Sequence, residues 1–413
     1  MSTNTIWNKN IKHDRNKIRK KNNVVSKKII LFIMFLSNIL FRTQENMNVY
    51  AMFFCLICLY GYYQICIDVN IISRIVTNRF FVWLSLLFSM YFSYGLFIEK
   101  YDYFSFQYFI IMLSIILVTM LCFIDVPMEK MTEIFISVSA ITALLVTLFI
   151  MFSEWESILN GSTRIGSSGS GNVNTLAVYL GMLSIPCMYK MIFENKYSYA
   201  LPYIVSTCLM LLTGSKKGLL IIIITPVLFA VTKYRGKLYK YLRVIVLITF
   251  FLLITLKNPH LYNIIGYRVV DFLGTLGVNL GGASSSYSTA IRIYMNEVAI
   301  RAISKSPVFG SGWGFFSVYS GLGTYSHNNY LELLVTYGFF GFILYYFMSF
   351  FVLYKLVRIL NEDDYAKLFF VLLITILVID FAVVSFSYNV VDYQILLISY
   401  LYVQKFYKNR ILY

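Results

Sequence analysis

Motifs on which many common enzymes depend are missing from this chain of 413 residues. No Gly-rich loop ends in Lys-Ser or Lys-Thr, which excludes a nucleotide-binding loop of that kind. No serine nucleophile elbow with suitable partners is evident. We therefore predict that any chemistry carried by the chain needs no cofactor, neither ATP nor a metal ion.

Cysteine and acidic residues are also scarce. The six cysteines all lie inside apolar runs, so we expect no disulfide framework, and we interpret Cys55 and Cys58 as core or lipid-facing residues rather than as a metal or redox pair. Only 19 acidic residues oppose 35 basic ones, a net charge of +16. Much of the excess lies in the first 28 residues and in short connections between apolar runs, which indicates membrane anchoring and not nucleic-acid binding.

Long apolar runs dominate the rest of the sequence. The hydrophobic content is 59% and the mean hydropathy is +0.71, and many runs are long enough to cross ~30 Å of hydrocarbon. These values predict an all-α, polytopic membrane protein with about 12 transmembrane helices. The predicted segments are Ile29 to Phe41, Val49 to Val69, Phe80 to Ile98, Phe106 to Val126, Thr132 to Phe152, Val173 to Met191, Tyr199 to Leu212, Leu219 to Val231, Tyr241 to Leu256, Asn329 to Tyr354, Lys367 to Val384 and Val391 to Gln404.

The basic residues predict how these segments are oriented. Residues 1–28 form a basic cytoplasmic tail, 29–256 a bundle of about nine helices, 257–328 a large extracytoplasmic loop, and 329–413 the last helices with a short cytoplasmic tail. In that loop, apolar residues from Ser288 to Lys305 recur at helical spacing and predict an amphipathic helix that ends before Pro307.

A lone histidine stands where this loop meets the next apolar segment. His327 is one of only three histidines, and helical periodicity from Tyr330 places Gly338 and Gly341 on one stripe, which predicts close approach by another helix. We interpret His327 as a catalytic residue at the mouth of a membrane helix. The simpler alternative is that it caps or hydrogen-bonds the end of a helix.

Several cations are predicted to lie on the same extracytoplasmic side as His327, together with asparagines at the start of the sixth segment. They outnumber the carboxylates there, which suits a pyrophosphate or a similar dianion better than a cationic substrate. The candidate substrate-binding residues are Arg164, Asn174, Lys216, Lys217, Arg268 and Arg301, with Arg292 and His327 as the candidate catalytic pair.

Four motifs, in order along the chain, resemble those of the O-antigen polymerase and O-antigen ligase superfamily. They are Gly171-Asn172-Val173-Asn174, then Leu212-Thr213-Gly214-Ser215-Lys216-Lys217-Gly218, then Arg292 with the run Ser306-Pro307-Val308-Phe309-Gly310-Ser311-Gly312-Trp313-Gly314, and His327-Asn328 with Gly338-Phe339-Phe340-Gly341. Lysines replace the usual arginine in the second motif, which keeps the charge but loses the planar guanidinium fork.

The resemblance implies a metal-independent glycosyltransferase embedded in the bacterial plasma (inner) membrane, with both termini cytoplasmic and the active site on the extracytoplasmic face. The implied partners are an undecaprenyl-pyrophosphate-linked oligosaccharide, the growing glycan chain, membrane lipid and other polysaccharide export components.

Three functions stay open at this point. The first is a polymerase of O-antigen, capsule or exopolysaccharide repeat units. The composition, rich in Ile, Lys, Asn, Tyr and Phe, favours capsule or exopolysaccharide. The second is a ligase that transfers a finished glycan to a lipid A core. The third is a flippase or transporter of lipid-linked sugars, which predicts charges near the membrane midplane and internal repeats that the sequence does not show.

Overall fold

Helices make up the regular structure of this protein. The computed structural model describes residues 24–41, 47–97, 106–160, 164–167, 171–234, 246, 256–258, 262, 266–267, 270, 287–387 and 389–411, and no strand occurs among them. The helices are α1 (24–40), α2 (Met47–Ile67), α3 (Asn70–Val76), α4 (Arg79–Phe97), α5 (Phe106–Phe123), α6 (Met128–Ser153), α7 (Trp155–Leu159), α8 (Val173–Phe193), α9 (Ala200–Leu212), α10 (Lys216–Lys233), α11 (Tyr287–Ile303), α12 (Phe315–Ser320), α13 (Asn329–Ile359), α14 (Asp364–Ile379) and α15 (Val390–Ile411). The predicted all-α class is confirmed for this part of the chain.

Five of these helices are long and apolar enough to cross a membrane, namely α2, α4 over Arg79–Leu96, α6, α8 and α13. The predicted number of about 12 spans stays a prediction. The ninth predicted segment, Tyr241 to Leu256, lies almost wholly outside the described residues. Helix α2 exposes Met52, Leu59 and Tyr62, and such an apolar outer surface is stable in lipid rather than in water.

Helix α8 lies at the centre of the bundle and α2 at its edge. In α8, 83% of the apolar window is buried inside the protein, against 22% in α2. Two glycines bring α10 close to α8: a Cβ at Gly218 would lie 3.1 Å from the Cβ of Ala177, and a Cβ at Gly181 would lie 2.7 Å from Ile221. This close approach sets the first turn of α10 beside the first turns of α8.

The predicted amphipathic helix is present as α11. Met295, Val298, Ala299 and Ala302 are buried in a small cluster with residues of α12 and α13. The predicted apolar face is therefore confirmed at these positions, but Tyr294, which has the same helical spacing, is 47% exposed. Helix α11 thus packs against the beginning of α13 and carries Arg292 towards it.

Candidate functional site

His327 occupies a backbone conformation that few residues other than glycine adopt. Its φ is +58°, in the left-handed region that costs a residue with a Cβ about 1 to 3 kcal/mol. The next residue, Asn328, caps α13, since its side-chain oxygen accepts hydrogen bonds from the backbone N–H groups of Tyr330 at 3.0 Å and Leu331 at 3.2 Å. The helix cap is thus Asn328 and not His327, so the simpler interpretation of the histidine as a cap is wrong.

His327 lines a cavity of about 300 Å³ that we call the cationic cavity. Its described lining residues are Asn38, Ile39, Asn172, Asn174, Thr175, Val178, Tyr179, Lys217, Arg292, Tyr325, His327, Val383, Val384 and Asn389. Segments far apart in the sequence, from α1, α8, α10, α11 and the loops before α13 and α15, meet here. The structure therefore brings together four of the predicted site residues: Asn174, Lys217, Arg292 and His327.

The cationic cavity is electropositive. Neither Asp nor Glu is among the described residues that line it. Burial, followed by the nearby charges of Lys217 and Arg292, lowers the pKa of His327 to about 4, so its imidazole is neutral near pH 7. Burial, followed by Arg292, lowers the pKa of Lys217 to about 7. A bound anion would relieve both effects, because an opposite charge favours the protonated forms.

Lys217 reaches the cavity because of how α10 begins. Ser215 is the N-cap residue, and its backbone N–H donates to the Thr213 hydroxyl at 3.2 Å. Lys217 stands in the first turn, ahead of the apolar run that starts at Leu219, and is 9% exposed. Lys216 is not among the described lining residues, since successive residues of a helix point about 100° apart.

The start of α8 contributes two asparagines, Asn172 and Asn174, to the cavity. The Asn172 side chain caps α8 by accepting from the backbone N–H groups of Asn174 at 3.0 Å and Thr175 at 3.4 Å. The cap orders the first turn of α8, and the positive end of this helix dipole faces the cavity. A helix N-terminus in this position favours an anion.

The remaining predicted site residues are not brought to the cavity. Arg164 and Arg301 are exposed, and neither is among the described residues that line the cavity. Lys216 is half-buried and is not among them either. Arg268 lies outside the described residues. Their predicted roles in substrate binding stay predictions.

The two glycine motifs near His327 hold the backbone in place. Within α13, Gly338 has φ +64° and ψ −167°, which breaks the helix. The segment 307–312 lies in this break: Phe339 and Phe340 donate their N–H groups to the carbonyls of Pro307 and Val308, at 2.9 and 3.0 Å. In return Ser311 and Gly312 donate to Val335 and Thr336, at 2.8 and 3.1 Å. We call this four-bond contact the backbone clamp.

The predicted close approach of another helix is therefore wrong for Gly338 and confirmed for Gly341. Gly338 admits the backbone of the segment 307–312, and a Cβ there would overlap the carbonyl of Val308. Only Gly341 approaches another helix, since a Cβ at that position would lie 3.1 Å from the sulfur of Met90 in α4. Helical periodicity missed this because it assumes that the helix continues unbroken through Gly338.

Asn329 ties the beginning of α13 to the loop before α15. Its side-chain oxygen accepts from the backbone N–H groups of Ser385 at 2.8 Å and Phe386 at 3.1 Å, and its amide nitrogen donates to the Tyr346 hydroxyl at 2.9 Å. Its own N–H donates to the carbonyl of Asp380 at 2.8 Å. This network positions the loop that supplies Val383, Val384 and Asn389 to the cavity.

Sequence reasoning missed Asn38, Tyr325 and Asn389. Asn38 accepts from the Tyr50 hydroxyl at 3.2 Å and donates to the carbonyl of Met34, and the ring of Tyr325 lies 4.5 Å from that of His327. The available signal was a polar amide at the end of an apolar run, which in a membrane protein points to function. No His, Cys, Asp and Glu side chains within the described ranges are grouped as a metal site would require, and metal independence stays a prediction.

Apolar helices around a cation-lined cavity define a helical membrane protein. Residues 201–346 match the family model described as O-antigen ligase. This match supports the resemblance to the O-antigen polymerase and O-antigen ligase superfamily, and it runs from α9 into α13 through Lys217, Arg292 and His327. A comparison with curated proteins finds no match. The family comprises membrane glycosyltransferase-like enzymes with lipid-linked polysaccharide substrates.

Proposed function

We propose that this protein is a polysaccharide polymerase. It transfers a glycan from undecaprenyl pyrophosphate to the terminal sugar of a lipid-linked repeat unit at the extracytoplasmic face of the plasma membrane. The observation that carries this proposal is the meeting of Lys217, Arg292 and His327 in one cavity whose described lining has no carboxylate. Three separate stretches of chain supply these groups, and an anion is the ligand that their charges favour.

The cations and the histidine have different tasks in this reaction. Arg292 and Lys217 hold the pyrophosphate and stabilise the negative charge that grows on it as the bond from the sugar C1 to the phosphate oxygen breaks. The acceptor hydroxyl oxygen forms the new bond to C1, and its proton passes to the neutral imidazole of His327. The leaving group departs as undecaprenyl pyrophosphate with the electron pair of the broken bond.

The pKa of His327 suits this order of events. In the empty cavity it is lowered to about 4, so the imidazole begins unprotonated. The pyrophosphate raises this pKa because it places negative charge beside the ring. The histidine therefore becomes a stronger base when the donor is bound.

Orientation of the bundle supports an extracytoplasmic site. The cavity lies at the end of α1 that carries Asn38, whereas the basic tail of residues 1–23 joins the other end of that helix. A basic tail prefers the cytoplasmic side, and a helix that crosses the membrane once from there delivers Asn38 to the outer face.

A ligase is the second candidate, favoured by the description of the matching family. A deletion strain distinguishes the two by its lipid-linked glycans. Loss of a polymerase leaves single lipid-linked repeats, whereas loss of a ligase leaves long lipid-linked chains. A flippase would leave repeats that an added glycosidase cannot reach from outside the cell. Either of the last two results would overturn the polymerase proposal.

Complementation of that strain tests the site. We expect His327→Ala to lower polymer formation by about 10² to 10⁴-fold and Arg292→Ala by about 10² to 10³-fold, with normal protein levels in the membrane. Lys305→Ala is the matched control, because this exposed cation follows the end of α11 and is absent from the described cavity lining. Wild-type chain length in the His327 or Arg292 variant would remove that residue from the site.

A further inference from the structure

A second cavity adjoins the cationic cavity and has a different chemical character. It holds about 240 Å³ and its lining includes Trp313, Ser317, Thr324, Tyr325, Phe386 and Ser387. We call it the Trp313 cavity. No Lys, Arg or His is among its described lining residues, so it lacks the charge that an anion would require. At ~30 Å³ for each water molecule, its volume equals roughly eight waters, which is space for one sugar ring.

One side of the Trp313 cavity is aromatic and held rigidly. Trp313 packs edge-on against Phe109 and Phe386, with ring centroids 5.7 and 5.5 Å apart. These contacts fix the indole, yet part of it stays exposed to the cavity. A fixed aromatic face suits the apolar C–H face of a pyranose.

The other side carries hydroxyl groups and the carboxyl of Glu332. Ser387 is the most informative, because it is 1% exposed and its hydroxyl has no hydrogen-bond partner among the described residues. A buried hydroxyl without a partner costs free energy, and native proteins rarely leave one so unless a ligand or water completes it. Ser387 therefore indicates a polar ligand in this cavity.

The two cavities meet beside His327. Tyr325 and Val384 line both of them, and the Tyr325 ring lies 4.5 Å from the imidazole. A group bound in the Trp313 cavity is thus next to an anion in the cationic cavity, with the histidine at the junction. A sugar that is to react beside a pyrophosphate needs such a position.

We propose that the Trp313 cavity binds one neutral pyranose ring of the glycan substrate, with the indole against its C–H face and Ser387 hydrogen-bonded to a ring hydroxyl. This inference rests on the proposed glycosyl transfer. The same chemistry recognises a sugar of the acceptor or the first sugar of the donor, and the experiment separates these two sources.

The test uses the full-length protein in lipid nanodiscs and the oligosaccharide released by mild acid from the lipid-linked repeats of the deletion strain. We expect Ser387→Ala to weaken its binding roughly fivefold to tenfold, the loss of one hydrogen bond, with Trp313→Phe also binding less tightly. Ser399→Ala is the control, because its buried hydroxyl bonds to the carbonyl of Ile395 at 2.7 Å and lines neither cavity. Equal dissociation constants in wild type, Ser387→Ala and Trp313→Phe would overturn the proposal.

Steady-state transfer identifies the source of the sugar. A raised KM of Ser387→Ala for the free oligosaccharide, used as acceptor, assigns the cavity to the acceptor. A raised KM for the undecaprenyl-pyrophosphate-linked glycan, measured with the free acceptor at saturation, assigns it to the donor. Both results support a sugar subsite. Transfer by Ser387→Ala with both KM values unchanged would exclude it while leaving the proposed function intact, whereas absence of transfer by the wild-type protein would count against the proposed function itself.

Discussion

The two ends of the helical bundle are held together in different ways. At the opposite end from the cavity, cations are matched with carboxylates: Lys190 with Glu133 and Glu194, and Arg410 with Glu362. Every ion pair found between described residues lies there. At the cavity end, the backbone clamp and the neutral amides of Asn328 and Asn329 connect the segments instead.

The two ends thus differ in the kind of group that makes the structural contacts. An ion pair neutralises a cation and lowers the potential that an anion would meet. At the cavity end, backbone N–H groups and amide side chains make the structural contacts, and Lys217 and Arg292 line the cavity. We infer that the cavity end is organised around binding and the opposite end around stability.

The largest expected effect comes from breaking the backbone clamp. Gly338→Ala places a Cβ against the carbonyl of Val308 at φ +64°, so we expect a loss of several kcal/mol of stability and little folded protein. Gly321→Ala is the control, since φ there is +69° but a Cβ would meet nothing within 4 Å. It should cost only about 1 kcal/mol.

Thermal unfolding in detergent, with protein levels in the membrane, measures both variants. Equal stability of Gly338→Ala and Gly321→Ala would show that the clamp contributes little and that the cavity end is held by other contacts.

A smaller effect is expected at the opposite end. Lys190 is fully buried and bonds to Glu194 at 2.5 Å as well as to Glu133, so Lys190→Met leaves Glu133 without this cation and Glu194 with only Lys196. Because both are partly exposed, we expect a loss of about 1 to 3 kcal/mol. Transfer per folded molecule should stay unchanged, since Lys190 lies roughly 24 Å along α8 from Asn174.

The comparison variant is Arg410→Ala, whose side chain is 61% exposed in its pair with Glu362. It should cost less than about 1 kcal/mol. A fall in the specific transfer activity of Lys190→Met, rather than in its stability, would contradict the assignment of a purely structural role to the opposite end.

The smallest expected effect is a pH dependence of anion binding at the cavity end. Lys217 has a pKa of about 7 in the empty cavity, and a bound anion raises this pKa. Affinity is therefore constant below about pH 7 and falls above it, by up to about tenfold per pH unit until the pKa of the complex is reached. Geranyl pyrophosphate, titrated between about pH 6 and pH 9, is a suitable probe for this prediction.

Lys217→Arg provides the matched control, because a guanidinium stays charged throughout this range. Its affinity for the probe should be nearly independent of pH. The same pH dependence in Lys217→Arg and wild type would show that another group titrates.

The sequence predicted the helical class, the amphipathic helix and a histidine on the same side of the membrane as several cations, because these leave periodic or compositional signals. It could not predict which cations reach the cavity. Lys216 and Lys217 are adjacent and equally charged, and only the close packing of Gly218 on α8 decides which one faces it. Asn38 and Asn389 were missed because each is a single amide at the end of an apolar run and neither belongs to one of the four motifs.

The break at Gly338 was also beyond the reach of sequence periodicity. A Gly-x-x-Gly spacing has the same pattern whether it admits a helix or an extended strand of backbone. The partner of Gly338 is about 30 positions earlier in the chain, and such a distant contact leaves no local pattern. The prediction was wrong at Gly338 for this reason.

The backbone clamp has a consequence for protein engineering. The clamp holds the loop after α11 against α13, so the distance between Arg292 and His327 depends on these segments together. Chimaeras between related chains should therefore exchange residues 287–341 as a single cassette. A crossover point between Arg292 and His327 would combine the arginine of one parent with the histidine of the other, and the two halves of the backbone clamp would then come from different parents.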